Sequence, residues 1–371
     1  MPAHRKAVVI HSPHSGRALE LDQALAYLEQ VGIELDLVVP IAELDNHPAQ
    51  GPRWLERGID VAIAAGGDGL VGGVISHIVG AGPILGILPL GTSNDIARSL
   101  RIPLTLPQAA DTIAWGREQE IDVGMARPAE QTPHLTSDHQ RGPVRTHVPS
   151  RKLGFFAHAL TVGLNVQFAR LATSVALRQR YGRLTYPLAA LEALRKYEAL
   201  EVQLRFDGLA LPQAPTPGEG LTPSPGMSEE LSRLHCHALQ VAIIDAPIFG
   251  GQWQLAVPGG SISDGLLDII VIDNIDFRDI SIALARLFTP REQQVEPSAD
   301  NPHEHLLLHH PAELSGIPGI HHMRARGVTI TTDADPRDVT LDGEVRGQTP
   351  IQVSVANERL RVTVPQESEV F

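Results

Sequence analysis

Three things are scarce in this sequence: cysteine, long apolar runs and positive charge. Cys236 is the only cysteine among 371 residues, so no disulfide can form within the chain and a reducing cytosol is its simplest environment. The apolar run near the N-terminus is only "AVVI", which is too short for a signal peptide. No uninterrupted apolar stretch approaches the roughly 20 residues that a membrane-spanning helix needs. We therefore expect a soluble, cytoplasmic protein.

The deficit of positive charge limits the partners. With 30 Lys and Arg against 43 Asp and Glu, the formal net charge is −13, which repels the phosphate backbone of a nucleic acid at long range. The same balance argues against strong electrostatic attachment to acidic membranes, although a local basic or apolar patch can still touch one. We expect no nucleic-acid partner.

The first third of the chain alternates strand-like and helix-like segments. Leu21, Leu25 and Leu28 fall on one helical face, and Gly32 is placed to end that helix. The strand-like runs around it are "KAVVI" (6–10), "IELDLVV" (33–39), "DVAIAA" (60–65) and "PILGILPL" (83–90). Strands separated by helical patterns predict βαβ units and a mostly parallel sheet.

From about residue 150 the pattern changes to strand-like runs that lie close to turn residues. These runs are 200–206, 237–245, 266–273, 328–332 and 351–355. They predict a second, mainly antiparallel domain that resembles a β-sandwich. The expected division is an α/β domain over 1–126, a linker or insertion over 127–151, a β-rich domain over 152–345, and a C-terminal hairpin over 346–371 that packs back on the first domain.

Two stretches inside the β-rich region are expected to be flexible insertions. Residues 211–230 are rich in Pro and Gly, and residues 289–310 are polar. The second stretch ends in a histidine cluster, which consists of His303, His305, His309 and His310. A metal site is one interpretation of this cluster, and a solvated loop without a rigid frame is the other.

Five glycines stand close together around one acid in "AIAAGGDGLVGGVISHI" (62–78). Glycine costs about 1 kcal/mol relative to alanine inside a helix, so the cluster must serve a local need. Either the backbone makes a tight strand-to-helix turn, or something approaches the bare backbone closely. A phosphate group is the usual visitor at such a turn.

The segment "LGILPLGTSNDIARSL" (85–100) repeats this pattern of apolar strand, tight turn and helix. Thr92, Ser93 and Asn94 can each cap the helix. Both turns also carry an acid, Asp68 in the first and Asp95 in the second. Backbone N–H groups and helix dipoles suit phosphate oxygens, while carboxylates suit the Mg²⁺ that accompanies a nucleotide. An ordinary capped helix remains the alternative for the second turn.

These two segments resemble the catalytic domain of the diacylglycerol kinase family, in particular the soluble bacterial lipid kinases related to sphingosine kinases. The family signatures are a GGDGT loop and a P-x-GT-x-ND segment, and the second is intact at 89–95. The resemblance continues through "IDVGMA" (121–126), "FFAHALTVGLN" (155–165), "FGGQWQLAVPGGSISDGLLDIIVI" (249–272) and "VTLDGEV" (339–345). It implies a Rossmann-like first domain of the type shared with NAD kinases.

The resemblance also implies roles for particular residues. The residues expected at the phosphates and nucleotide of ATP are Ser12, Pro13, Ser15, Gly16, Gly66, Gly67, Asp68, Gly69, Leu70, Thr92 and Asn94. The acids expected around the catalytic Mg²⁺ are Asp68, Asp95 and Asp122. Asp342 and Glu344 supply the candidate base for the lipid hydroxyl, with Asp68 as the third catalytic residue. A structural metal, which some bacterial members hold, falls at Ser261, Asp264 and Leu266, where a plain β-turn is the alternative.

Several positions depart from the family pattern. Leu70, Gly72 and Gly73 stand where the family has a threonine and then Asn-Glu, and Ser12 replaces an asparagine. The usual Asn-Gly before the "GG" segment is here "DAPIFGG" (245–251). The glycines either let the backbone hold phosphate more closely or mark a weakened or lost kinase.

The expected function is an ATP- and Mg²⁺-dependent lipid kinase that transfers the γ-phosphoryl group to the hydroxyl of diacylglycerol or a similar lipid. The expected partners are that lipid, a membrane surface touched transiently, and, as one option, a second copy of the chain. Two alternatives stay open, which are an NAD kinase-like enzyme and a non-catalytic homologue that binds nucleotide or lipid for regulation.

Overall fold

The computed structural model describes residues 5–13, 15–44, 47, 49–129, 153–164, 199–210, 232–249, 255–257, 259–273, 319–333 and 335–366. Most of the predicted insertion 127–151 lies outside these residues. The predicted insertions 211–230 and 289–310, with their four histidines, lie outside them entirely. None of the helices within the described ranges is long and apolar enough to span a membrane.

The regular elements, numbered in chain order, comprise strands and α-helices. The strands are β1 (Lys6–His11), β2 (Glu34–Pro40), β3 (Val61–Gly66), β4 (Ile84–Pro89), β5 (Arg117–Ile121), β6 (Gly124–Pro128), β7 (Gly154–Phe156), β8 (Ala159–Gly163), β9 (Leu200–Leu209), β10 (Arg233–Ile244), β11 (Ile248–Phe249), β12 (Leu255–Ala256), β13 (Leu267–Asp273), β14 (Ile320–Thr332), β15 (Asp338–Leu341), β16 (Glu344–Gln348), β17 (Ile351–Val355) and β18 (Leu360–Val364). The α-helices are α1 (Leu21–Gln30), α2 (Gly51–Glu56), α3 (Asp68–Ile78), α4 (Asp95–Ser99) and α5 (Leu106–Trp115).

The N-terminal region forms the mostly parallel α/β sheet that the alternating pattern predicts. Sheet A has the strand order β2-β1-β3-β4-β18-β5, and its pairs are parallel except for β18 with β5. Every residue of β3 and β4 is buried, as expected for central strands covered on both faces. Helix α1 packs beside α5, and α2 packs beside α3. The carboxyl ends of β1, β3 and β4 therefore meet at one edge of this sheet.

The first helix ends where its sequence predicts. Gly32 has a left-handed φ of +90°, and the Ile33 N–H donates to the Leu28 carbonyl at 3.0 Å. This bond closes the last turn of α1 and directs the chain into β2.

The C-terminal region is the predicted antiparallel sheet. The described strands of sheet B follow the order β16-β15-β8-β10-β13-β14-β17-β6-β7, and β9 pairs with both β10 and β14. Apolar residues alternate with exposed polar ones along β9, and its inward side chains join one core cluster with those of β10, β13 and β14. At β9 one face of the sheet is thus apolar and the other polar. At β10 and β13 the second face also carries apolar residues, which form a smaller cluster with Val257.

The predicted C-terminal hairpin does not form. β17 pairs with β14 and β6 in sheet B, whereas β18 pairs with β4 and β5 in sheet A. The chain crosses between the sheets at Ala356, whose N–H donates to Val123 at 2.8 Å beside the crossing from β5 to β6. The alternating pattern of these strands is the same whichever partner they choose, so it could not reveal that the turn is a crossing. The other predicted domain boundaries stay predictions.

Candidate active site

The five glycines of the first turn serve close approach rather than a left-handed backbone. Gly67 is the N-cap of α3 in extended conformation (φ −95°, ψ −175°), and none of the five has a positive φ. A Cβ on Gly67 would lie 3.1 Å from Cα of Gly91, and a Cβ on Gly91 would collide with Gly67. The turns after β3 and β4 therefore touch backbone to backbone, which only glycine permits.

The second turn is held by its own asparagine. Asn94 adopts a left-handed conformation (φ 53°, ψ 45°), and its side chain exchanges hydrogen bonds with the N–H and carbonyl of Gly91 at 2.9 and 3.0 Å. Asn94, expected at the nucleotide, therefore has its amide engaged in shaping the turn, and its side chain makes no cap hydrogen bond to α4.

Asp68 joins the two turns. Its Oδ1 accepts a hydrogen bond from the N–H of Ile96 at 2.9 Å, in the first turn of α4. A carboxylate at this position is favoured by the unpaired N–H groups and the dipole of the helix. The acid of the first turn thus lies against the helix that begins at the second.

We call the glycine turns after β3 and β4 the first and second corners. A third turn, at the end of β1, packs onto both of them. A Cβ on Gly16 would lie 2.8 Å from Oγ1 of Thr92, and a Cβ on Gly66 would lie 3.0 Å from Oγ of Ser15. Ser12 and Pro13 line a concavity of about 240 Å³ together with Leu90 and neighbours on β1 and β3. The N-terminal residues expected at the nucleotide are therefore brought to the same edge of sheet A.

The turn between β15 and β16 lies against the start of α3. Asp342 and Gly343 both have left-handed backbones, with φ of +47° and +87°. A Cβ on Gly69 would lie 3.3 Å from both the Asp342 carbonyl and Oε1 of Glu344, and a Cβ on Gly72 would collide with the Asp342 carboxylate. Glycine at 69 and 72 is what lets this turn reach the first corner.

Asp342 is anchored rather than available. Its carboxylate accepts hydrogen bonds from the N–H groups of Ala157, His158 and Ala159 at 3.3, 3.0 and 3.0 Å. Burial raises the pKa of Asp342 to about 6, although His158 and these three N–H groups act in the opposite direction. Asp342 thus fixes the turn on which its neighbour stands.

Glu344 is the exposed carboxylate of this turn. Its side chain is 56% exposed, and its Oε2 accepts hydrogen bonds from Nε and Nη2 of Arg346 at 3.0 and 2.6 Å. Its Oε1 lies on the side of Gly69. Of the two acids in this turn, Glu344 is therefore the one exposed to solvent.

Asp95 lies behind these groups. It is 3% exposed, and its Oδ2 is 3.5 Å from Nε2 of His158. Because His158 also donates its N–H to Asp342, one residue links the second corner to the turn that carries Glu344.

The structure places Asp122 with a different group of residues. Its Oδ2 accepts the N–H of Gly265 at 2.6 Å, its Oδ1 is 3.5 Å from Nε of Arg359, and its N–H donates to Ile262. Asp122 therefore packs against the 261–266 loop, not against the corners.

The 261–266 loop is held by arginine and by its own backbone. Asp264 pairs with the guanidinium of Arg324 and accepts the N–H of Leu266 at 3.1 Å, while Ser261 Oγ accepts the N–H of Ser263 at 3.3 Å. Arg324 also bonds the buried Asp268 at 3.1 Å. The metal expected at Ser261, Asp264 and Leu266 stays a prediction, and the Asp264 carboxylate that it would use is paired with Arg324 in this structure.

Asp245 is a buried acid that lies between the corners and the 261–266 loop. No role was assigned to it from the sequence. It is 1% exposed, and neither carboxylate oxygen has a hydrogen-bond partner among the described residues. Burial, then the charges of Asp122 and Asp342, raise the pKa of Asp245 well above its usual range, and the N–H of Gly124 acts in the opposite direction.

Two family models match the chain in succession. The diacylglycerol kinase catalytic domain matches residues 6–126, and the YegS C-terminal NAD kinase beta sandwich-like domain matches residues 159–294. The chain belongs to the diacylglycerol kinase family. The first match ends where the strands of sheet A give way to β6, and the second begins at β8.

Full-length relatives agree with this assignment. The chain is 22% identical over 369 residues to the diacylglycerol kinase of Staphylococcus saprophyticus, covering 98% of this chain and 96% of that protein. It is 23% identical over 370 residues to the diacylglycerol kinase of Bacillus subtilis, covering 98% and 97%. A crystal structure of a diacylglycerol kinase from Bacillus anthracis superposes with a TM-score of 0.55 at 17% identity, covering 97% of both chains, and so shares the fold.

The structure gives physical reasons for the departures from the family pattern. Leu70 is 7% exposed and folds over Gly66 into the core, so its side chain offers no group to a nucleotide. Gly72 accommodates Asp342, and a Cβ on Gly73 would lie 3.4 Å from Ile41. These two glycines therefore face other parts of the protein, and neither a closer phosphate cradle nor a lost kinase is needed to explain them.

Proposed function

We propose that this chain is an ATP-dependent lipid kinase that phosphorylates the hydroxyl of diacylglycerol or a similar lipid. The observation that carries the proposal is the meeting of three turns from sheet A with the turn of Asp342 and Glu344 from sheet B. A nucleotide bound at the three turns of sheet A would therefore lie next to a lipid hydroxyl held at the turn of Asp342 and Glu344.

The triphosphate of ATP would rest on the two glycine corners. The backbone N–H groups at the start of α3, including those of Gly67 and Gly69, lie at a helix N-terminus, and such a terminus favours phosphate oxygens. Thr92, Ser15 and Gly16 line the same edge. Leu70 contributes its backbone only.

Carboxylates beside this cradle fit Mg²⁺, which prefers oxygen ligands. Asp68 and, behind it, Asp95 would hold the ion, which supplies neutralisation of charge on the transferring phosphoryl group. Asp122 is not part of this set, since its oxygens are directed to Gly265 and Arg359.

Glu344 would act as the base. The lipid hydroxyl oxygen forms a bond to the γ-phosphorus, the bond from that phosphorus to the β–γ bridging oxygen breaks, and ADP leaves. The hydroxyl proton passes to Oε1 of Glu344, on the side of the first corner. Asp342 positions this turn through its three backbone hydrogen bonds.

The acceptor would be a lipid with a free hydroxyl, taken during transient contact with a membrane surface. The relatives' names support a lipid acceptor, and the choice among lipids is left to experiment. A homodimer is compatible with this scheme but is not required, because one chain supplies the corners, the carboxylates and the base.

The test is an unbiased acceptor assay. Purified protein is incubated with Mg²⁺, γ-labelled ATP and either a total lipid extract or NAD, beside the Asp68→Asn variant. Label in a lipid that the variant does not produce supports the proposal. Label in NAD alone favours the NAD kinase-like alternative, and no label under varied metal and detergent conditions favours the non-catalytic one.

A further inference from the structure

A row of polar side chains crosses the outer face of sheet B, far from the proposed active site. Arg233 on β10 pairs in register with Arg205 on β9, which pairs with Thr329 on β14, which pairs with Gln352 on β17. Residues directly opposite one another project to the same face of a sheet. We call these four residues the arginine row.

Two like charges stand side by side in this row. Directly opposed side chains on paired strands have Cβ atoms about 5 Å apart, and like charges there are destabilising. Within the described part of the chain neither Arg205 nor Arg233 forms an ion pair. The pair stands in a chain whose formal net charge is −13.

The row lines the floor of a concavity of about 410 Å³. Besides the row, its lining includes the polar side chains of Ser232 and Ser354, and one acid, Asp207. The volume falls within the range of small-ligand pockets, but the lining is polar and cationic rather than apolar, which suits an anion and not an acyl chain.

We propose that the arginine row binds a phosphate-bearing anion at a site separate from the phosphoryl-transfer centre. Two guanidinium groups offer forked donors that match phosphate oxygens, and the Thr329 hydroxyl and Gln352 amide add further donors. The anion would be either a free small phosphoester or the phosphate of a lipid headgroup. Arg233 is the first residue of β10, and Asp245, beside the proposed active site, directly follows its last. The two are about 40 Å apart along the strand, so this proposal does not rest on the proposed function.

The test compares an arginine-row variant with a control that loses an exposed arginine elsewhere. The double variant Arg205→Gln, Arg233→Gln removes the facing pair, and Arg53→Gln removes an exposed arginine from α2 beside sheet A. Binding of glycerol 3-phosphate is measured by calorimetry, and sedimentation is measured with phosphatidylcholine vesicles with and without phosphatidylglycerol. The first arm detects a small phosphoester and the second a headgroup.

We expect the double variant to lose at least about tenfold in affinity in one arm or both, while Arg53→Gln stays close to the wild type. Stability gives an independent signature. In phosphate-free buffer the double variant should melt no lower than the wild type, since the repulsion is relieved, but phosphate should raise its melting temperature less. Equal affinity of the double variant and the Arg53→Gln control in both arms would overturn the proposal, as would equal stabilisation by phosphate.

Discussion

Two groups of acids lie side by side in this molecule and are neutralised in opposite ways. At the corners of sheet A, Asp68 and Asp342 accept hydrogen bonds from backbone N–H groups. At the 261–266 loop, Asp122 and Asp264 face the guanidinium groups of Arg359 and Arg324. Backbone donors stabilise a carboxylate while leaving its net charge in place, whereas an arginine cancels it. The backbone donors therefore leave the negative charge of the corner group in place, whereas the arginines at the 261–266 loop offset the charge of its acids.

The largest effect is expected where that charge is removed from the corner. Asp68→Asn keeps an oxygen for the Ile96 N–H but loses the charge, so lipid phosphorylation should fall about 10³-fold in kcat/KM with the melting temperature nearly unchanged. The assay with labelled ATP measures it. If kcat/KM of a folded variant falls less than about tenfold, Asp68 does not take part in phosphoryl transfer.

The next effect concerns the pH dependence of stability. The pKa of Asp342 is raised from 3.8 to about 6, chiefly by burial. Because the folded state favours the protonated acid, its contribution is complete below pH 3.8 and is lost as the pH rises through about 6. The difference in unfolding free energy between the wild type and Asp342→Asn should therefore fall by about 3 kcal/mol across this window and then level off. Denaturant titrations of both proteins at several pH values test this, and parallel pH profiles would contradict it.

Gly72 and Gly73, two neighbouring glycines of α3, test how the turn of Asp342 packs against this helix. Alanine at either position gains about 1 kcal/mol of helix propensity. A Cβ at 72 meets the Asp342 carboxylate, which three N–H groups hold in place, so Gly72→Ala should lose about 2 kcal/mol and most activity.

Gly73→Ala is the matched control, because its Cβ makes only an ordinary contact with Ile41 at 3.4 Å. It should be neutral or slightly stabilising in the same thermal and denaturant experiments. If the two variants behave alike, the Asp342 carboxylate does not pack against α3 at Gly72.

The smallest effect is expected in the loop group. Asp264→Asn breaks a partly exposed pair with Arg324, whose side chains are 29% and 26% exposed, and should cost no more than about 1 kcal/mol. Lipid phosphorylation should be unchanged, and a chelator should shift the melting temperature of neither protein. A chelator-dependent melting temperature in the wild type, lost in Asp264→Asn, would instead support a metal at this loop.

The sequence predicts the corners well because their causes are local. A buried strand followed by glycines and a helix has few ways to fold, and the carboxyl ends of parallel strands meet at one edge. By contrast, only the resemblance to the family indicated that Asp342 and Glu344 belong to the same site as the corners. Its structural signature, the glycine at 72, looked in the sequence like a departure from the family pattern.

What the sequence could not show depends on long-range pairing. The alternation in 351–364 fits a hairpin as well as a crossing between two sheets. The segment "IDVG" gives no sign that Asp122, expected at the catalytic Mg²⁺, faces Arg359 and Gly265. His158 and Asp245 lie in segments that were compared with the family, but neither was given a role there. They matter because β8 begins and β10 ends beside Asp342. Asp245, where the family has asparagine, was the one visible hint.

The central claim is that Glu344 takes the proton of the lipid hydroxyl, while the glycine corners bind the nucleotide without its help. Glu344→Gln tests it directly, since glutamine keeps the size and an oxygen for Arg346 but accepts no proton. With Mg·ATP binding followed by calorimetry and lipid phosphorylation by label transfer, the account predicts unchanged nucleotide affinity and a loss of about 10²–10⁴-fold in turnover. Turnover at the wild-type rate in that variant would contradict it.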